Sequence, residues 1–222
     1  MLGSARTTAA LATVSGLCAL GLLMVALMTG GAQELFEVNR PAADYARLLV
    51  TNGGALRLCI GIDYVFIVLY AALFVSLAVT LRSWHDNGLL PGPVEPAVTV
   101  ATAALLLTAL LDLYEDAHIL AMLAMAEQGQ PIPQSEIAWQ MAQSQIKFAV
   151  SYFALFVLSF ALPRETALEK ALVVALRWLQ LPLGAAIFVV GPPWSDVLGL
   201  SRAIFFVVAL WALAIIVARR GQ

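Results

Sequence analysis

The stretch Leu111-Asp112-Leu113-Tyr114-Glu115-Asp116-Ala117-His118-Ile119-Leu120 interrupts an otherwise apolar run from Pro96 to Ala126. Before it lie 15 largely apolar residues, Ala97 to Leu111, and after it a shorter apolar run, Ile119 to Ala126. A helix needs about 20 mostly apolar residues to cross a bilayer. Neither run spans alone. Either the acids lie inside one long span, or the helix leaves the membrane at Asp112 and follows its surface. The first alternative is adopted here, and it makes 96–126 the third of six spans.

The other five are clearer. They cover about 8–28, 58–81, 143–162, 171–190 and 203–218. The expected fold is all-α, a polytopic membrane protein built as a bundle of six transmembrane helices, with residues 1–222 in one integral membrane domain. Arg6 and the small residues Gly30-Gly31-Ala32 give the first segment two features of a cleaved signal. Its apolar stretch exceeds the roughly 7–15 residues of a signal core, so an uncut anchor is expected.

Composition agrees. The chain has 222 residues, 62% hydrophobic and 12% charged, against about 45–50% and about 25% in soluble domains. Mean hydropathy is +0.90. Net charge is −2, and no basic patch suggests nucleic acid. Cys18 and Cys59 both lie in apolar runs and match neither a disulfide framework nor a zinc site.

Breaks between spans carry turn chemistry. Asn39-Arg40-Pro41 opens a short amphipathic piece, Pro41 to Val50, and Asn52-Gly53-Gly54 reads as a turn before span two. Asn87-Gly88 with Pro91-Gly92-Pro93, Gly129 to Pro133, and Pro163 follow spans two, three and four. Thr166 and Glu169 form a capping box ahead of span five. Gly191-Pro192-Pro193 closes that span, and Ser201 is a candidate cap for span six. Pro182 is a candidate kink. The segment Gln33 to Arg57 reads as a solvated loop in preference to a lid.

Lys/Arg counts set orientation. With the N-terminus inside, the inner ends carry Arg6, Arg82, Arg164, Lys170, Arg177, Arg219 and Arg220. The outer ends carry Arg40, Arg47, Arg57, Lys147 and Arg202. Both termini are therefore expected on the cytoplasmic side of a plasma or inner membrane.

Spans two, three and four each hold an ionisable residue at similar depth. Asp112 lies about 25 Å along its helix from Glu95, Asp63 about 28 Å from Arg82, and Lys147 about 24 Å from Pro163. Residues three and four apart share a helix face. Thr108, Asp112, Glu115 and Asp116 form one stripe, and Gln140, Ser144, Lys147 and Ser151 another. A charge at the bilayer centre costs about 2.5–3.5 kcal/mol on insertion scales, so these stripes should face each other or a wet pocket. Asp63, Asp112, Glu115, Asp116 and Lys147 are the candidate ligand- or ion-binding residues. Carboxyls that close share protons or bind a cation, with Lys147, Arg57 or Arg202 as candidate neutralisers. A structural knot of acids around Lys147 is the bland alternative.

Glu115 and His118 have the Glu-x-x-His spacing of a metal pair. It occurs once, so a dinuclear iron site is not expected. A single divalent cation is the remaining metal reading, and carboxylate-rich ligation would favour Zn, Mn, Mg or Ca over copper. A satisfied interfacial histidine is the simpler reading. Only two histidines occur. A haem held by two spanning histidines is therefore excluded, and no glycine-rich loop marks a nucleotide site.

Three functions fit. The leading one is binding or translocation of a small polar ligand or cation in an outer-leaflet acidic pocket, coupled to protons. The second is an intramembrane enzyme, using metal-assisted or carboxylate-activated water on a lipid or small amphiphile. The third is an accessory subunit that packs its polar stripes against a partner membrane protein. A transporter needs a polar path through the inner half, which looks dry; an enzyme needs only a one-sided pocket, but no nucleophile motif is present.

Overall fold

A computed structural model describes residues 3–29, 33–90, 94–190 and 194–221. It is 86% helix, with no strand among the described residues. In order come α1 (Ala5–Thr29), a 3-10 turn (Gln33–Phe36), α2 (Ala42–Asp86), α3 (Glu95–Glu127) and α4 (Gln134–Leu158). Then follow α5 (Ala167–Val174), a π turn (Ala175–Leu179), α6 (Gln180–Val189) and α7 (Trp194–Arg220). Six stretches are long and apolar enough to cross a membrane, with α5, the π turn and α6 making one of them.

These stretches close into a ring. α1 packs on α2 and α7, α2 on α3, α3 on α4, α4 on α6, and α6 on α7. Leu17, Val68, Leu110 and Val208 point out of the ring, each more than half exposed, as lipid-facing side chains do. Both termini lie at one end. There the Gly3 amide donates to Ser76 Oγ at 3.1 Å, and Gly221 packs against Ala5.

Several local expectations change. Asn52-Gly53-Gly54 is not a turn: α2 runs unbroken for 45 residues, about 67 Å. The Asn52 amide donates to the Leu48 carbonyl at 2.9 Å, along the helix. Gly53 is buried where α3 crosses, and a Cβ there would sit 3.3 Å from Leu123 Cδ1. Its small size serves helix packing, which outweighs the turn propensity of the tripeptide. Ser201 lies inside α7, donating to the Val197 carbonyl at 2.8 Å, and does not cap it. α4 ends at Leu158, earlier than the expected 162.

The capping box is present. Thr166 Oγ1 accepts from the Glu169 amide at 3.3 Å, and Glu169 Oε2 accepts from the Thr166 amide at 2.8 Å. The π turn ends three residues before Pro182. Proline brings no N–H, and its ring crowds the carbonyl four residues back, here Trp178; a wider turn makes that room. Gly30-Gly31-Ala32, Pro91-Gly92-Pro93 and Gly191-Pro192-Pro193 lie outside the described residues.

Arg177, counted at the inner end of span five, is held in place: its guanidinium donates to Ser159 Oγ and the Ser159 carbonyl, both at 3.1 Å, and stacks 3.8 Å over Phe160. It thereby satisfies a carbonyl that the end of α4 leaves free.

Candidate functional site

On α3 the spacing of Asp112, Glu115 and Asp116 turns all three towards the ring. Glu115 and Asp116 are fully buried, and Asp112 is half-buried. α4 faces them with buried Gln140, Gln143, Ser144 and Lys147. α2 contributes Asp63, 9% exposed.

Lys147 is the focus. Its Nζ donates to Glu115 Oε2, and lies 3.1 Å from Asp112 Oδ1 and 3.7 Å from Glu37 Oε1. It also sits 4.5 Å from the centre of the Phe148 ring. The Tyr70 hydroxyl donates to the other Asp112 oxygen. The Gln140 amide donates to Glu115 Oε1 at 3.1 Å, and Gln33 donates to Asp116 Oδ1 at 2.6 Å. Two carboxyl groups are less well served. Asp116 Oδ2 is buried with no hydrogen-bond partner among the described residues. Asp63 has neither a hydrogen bond nor an ion pair among the described residues.

A cavity of about 240 Å³ fills the centre of the ring at this level. Asp63, Asp112, Lys147 and Thr108 line it, as do Gln180 of α6 and Arg202 of α7. Much of the wall is apolar or aromatic, including Leu22, Phe66, Tyr70, Phe148, Tyr152 and Phe206. Towards the termini, Phe74, Leu155 and Phe206 form the floor. Beneath them is a void of about 30 Å³ with an entirely apolar wall.

No protein-family model, curated protein or solved structure matches the chain.

The structure brings Asp63, Asp112 and Lys147 to one cavity wall, and sets Glu115 and Asp116 just behind it. His118 stands apart. Its Nδ1 lies 2.7 Å from Gln140 Oε1 and its Nε2 lies 3.1 Å from Glu136 Oε2, so both ring nitrogens face oxygen acceptors. The Gln140 amide thus stands between Glu115 and His118. Among the described residues, no three His, Cys, Asp or Glu side chains are grouped to hold a metal ion.

Of the expected neutralisers, Arg57 is elsewhere. It makes a two-pronged pair with Glu127, both bonds 2.7 Å. Arg202 does reach the cavity, stacking 4.1 Å over Phe148 and donating to the Tyr152 hydroxyl at 3.4 Å.

Two contributors come from a segment expected to be solvated. Gln33 and Glu37 both line the cavity. Phe36 between them is fully buried, its carbonyl accepting from the Tyr45 hydroxyl at 3.0 Å and its ring edge-on to Tyr45 at 5.7 Å. The aromatic pair Phe36 and Tyr45 was the available signal, since a purely solvated loop has no use for two large rings. Tyr70 and Tyr152 also went unassigned. They begin the similar hexapeptides Tyr70–Val75 and Tyr152–Val157, and each lies four residues after a phenylalanine, Phe66 or Phe148. Gly184 lets α6 approach this wall, because a Cβ there would collide with the Tyr152 ring.

Proposed function

We propose that this protein binds, and in a second conformation carries, a small positively charged ligand in exchange for protons. One observation bears most of the weight. Five carboxyl groups (Glu37, Asp63, Asp112, Glu115 and Asp116) stand in or just behind the cavity wall, against two cationic side chains, Lys147 and Arg202. An intramembrane acidic cluster of that imbalance would hold negative charge that a low-dielectric ring penalises, and protons or a cation offset it. Ligand and proton then compete for the same oxygens, which is the thermodynamic basis of coupling.

The ring architecture supports one-sided access. The polar groups sit in the half away from the termini, and Phe74, Leu155 and Phe206 close the other side. With the termini cytoplasmic, as the Lys/Arg bias suggests, the ligand arrives from outside the cell membrane. Translocation requires that floor to part; a receptor or sensor does not. The enzyme reading draws on the same chamber, with Asp63 as the carboxyl that activates water beside an apolar substrate.

The test is thermal unfolding of the purified protein in mild detergent, with small cations and anions of matched size. Cations should raise the unfolding temperature and release protons into weakly buffered solution. Matched anions that stabilise more than the cations would overturn the reading. Uptake into proteoliposomes, with and without a pH gradient, then separates a carrier from a binding protein.

A further inference from the structure

We propose that the cavity takes a small organic ammonium ion, its N–H groups on the Asp63 carboxylate and its apolar body among Phe66, Tyr70 and Phe206. This rests on the cation-binding reading above and names the ligand class.

Two buried acceptors on the cavity wall have unmet hydrogen-bonding capacity. Asp63 is 9% exposed, lines the cavity and has no hydrogen bond or ion pair among the described residues. Gln180 is 3% exposed, lines the same cavity, and its buried Oε1 has no partner. α6, which carries Gln180, stands across the ring from α2, which carries Asp63. A buried acceptor left unmade costs about 1–3 kcal/mol, and more when charged. Both groups accept hydrogen bonds, and Asp63 becomes an anion when it gives up a proton, so their complement is a cation bearing N–H or O–H donors that takes that proton's place. The other carboxylates on the cavity wall are already engaged, Asp112 by Tyr70 and Lys147 and Glu37 by Lys147; behind the wall Glu115 is held by Lys147 and Gln140, and Asp116 by Gln33 through one oxygen only.

Ligand geometry favours an ammonium over a metal. A divalent cation needs several ligands converging on one point, up to about 6–8 oxygens for calcium. The point where Glu37, Asp112 and Glu115 converge is filled by the Lys147 ammonium itself. That group shows the chemistry this chamber favours, a primary ammonium held by carboxylates with an aromatic face 4.5 Å away. On the α2 side of the cavity, Asp63 shares its wall with aromatic rings. Phe66 and Tyr70 follow it at three and seven residues on the same helix face, their ring centres 5.1 Å apart, and Phe206 closes edge-on at 6.0 Å. Aromatic faces attract organic cations.

The wall favours an organic body. Leu22, Leu105 and Phe206 contribute only carbon to it. A hydrated inorganic ion would leave those faces wet, whereas an alkyl chain or one aromatic ring covers them.

The experiment is isothermal titration calorimetry on the full chain in nanodiscs. The probes are 2-phenylethylammonium and n-hexylammonium chlorides, with 2-phenylethanol, sodium hexanoate, calcium chloride and zinc chloride as comparisons. Both ammonium ions should bind saturably. Asp63→Asn should weaken them by about 10- to 100-fold, the loss of a charge-assisted hydrogen bond, with thermal unfolding unchanged. Phe206→Leu keeps every charge and should weaken phenylethylammonium by about threefold. Equal binding of phenylethanol or hexanoate, or ammonium binding indifferent to both variants, overturns the proposal. Calcium or zinc binding that Asp63→Asn abolishes, without ammonium binding, overturns the ligand class and leaves the cation reading standing. No saturable binding by any cation overturns both.

Discussion

The molecule holds two buried ionic networks, one in each half of the ring, and they are built to opposite standards. At the end bearing the termini, Glu169 is 3% exposed, yet every bond it needs is made. Oε1 accepts from Arg220 Nε at 2.6 Å, and Oε2 accepts from the Thr166 and Glu165 amides, both at 2.8 Å. Arg220 also reaches Glu165 at 2.8 Å. This is a clasp between the start of α5 and the end of α7. In the other half, Lys147 gathers several carboxylates at once, while Asp63 and one oxygen of Asp116 go without a hydrogen bond. A satisfied network holds helices together; one with surplus acceptors keeps capacity for a visitor. Buried polar groups reward the first arrangement and penalise the second, so the second persists where it serves something other than stability.

The sharpest way to break that contrast is Lys147→Met. It leaves Glu37, Asp112 and Glu115 around an apolar side chain, and should cost about 3–5 kcal/mol in unfolding from mixed micelles. A cost under about 1 kcal/mol would mean that the carboxyls simply take up protons, and that Lys147 is no keystone. Arg220→Met should cost about 2 kcal/mol, because its partner Glu169 keeps two backbone amides. Arg57→Ala removes an exposed pair, with side chains 50% and 39% exposed, and should shift stability by no more than about 1 kcal/mol. Asp63→Asn should be smallest, within about 0.5 kcal/mol of wild type or slightly stabilising, since the buried carboxyl it replaces has no direct partner to lose among the described residues. A large loss from Asp63→Asn would turn the upper network into a second clasp.

Much of this was legible in the chain, for physical reasons that also mark where legibility stops. Six spans follow from hydropathy, because a bilayer permits few other structures. Helical spacing aligned the Asp112 and Lys147 stripes, and counting residues along each helix put Asp63 at their level. What misled was local chemistry judged without its neighbours. Asn52-Gly53-Gly54 has the composition of a turn, but Leu123 presses on Gly53 and the helix continues. Arg57 looked available to the acids until Glu127, 70 residues away, claimed it. Gln33 and Glu37 belong to the network only because Phe36 anchors their segment against Tyr45, a contact that no short window of sequence reveals.

The unbroken length of α2 has a mechanical consequence. One rod carries Asp63, Phe66 and Tyr70 near its middle and continues for 21 residues to Ala42, about 30 Å further. With no joint at Asn52-Gly53-Gly54, whatever swings the chamber wall also swings the tip. A tilt of about 5° about the Asp86 end moves that tip by about 6 Å and Asp63 by about half as much. The half-exposed Asp44 at the tip is therefore a pointer on a dial: a label there would register, at larger amplitude, small movements of the chamber wall.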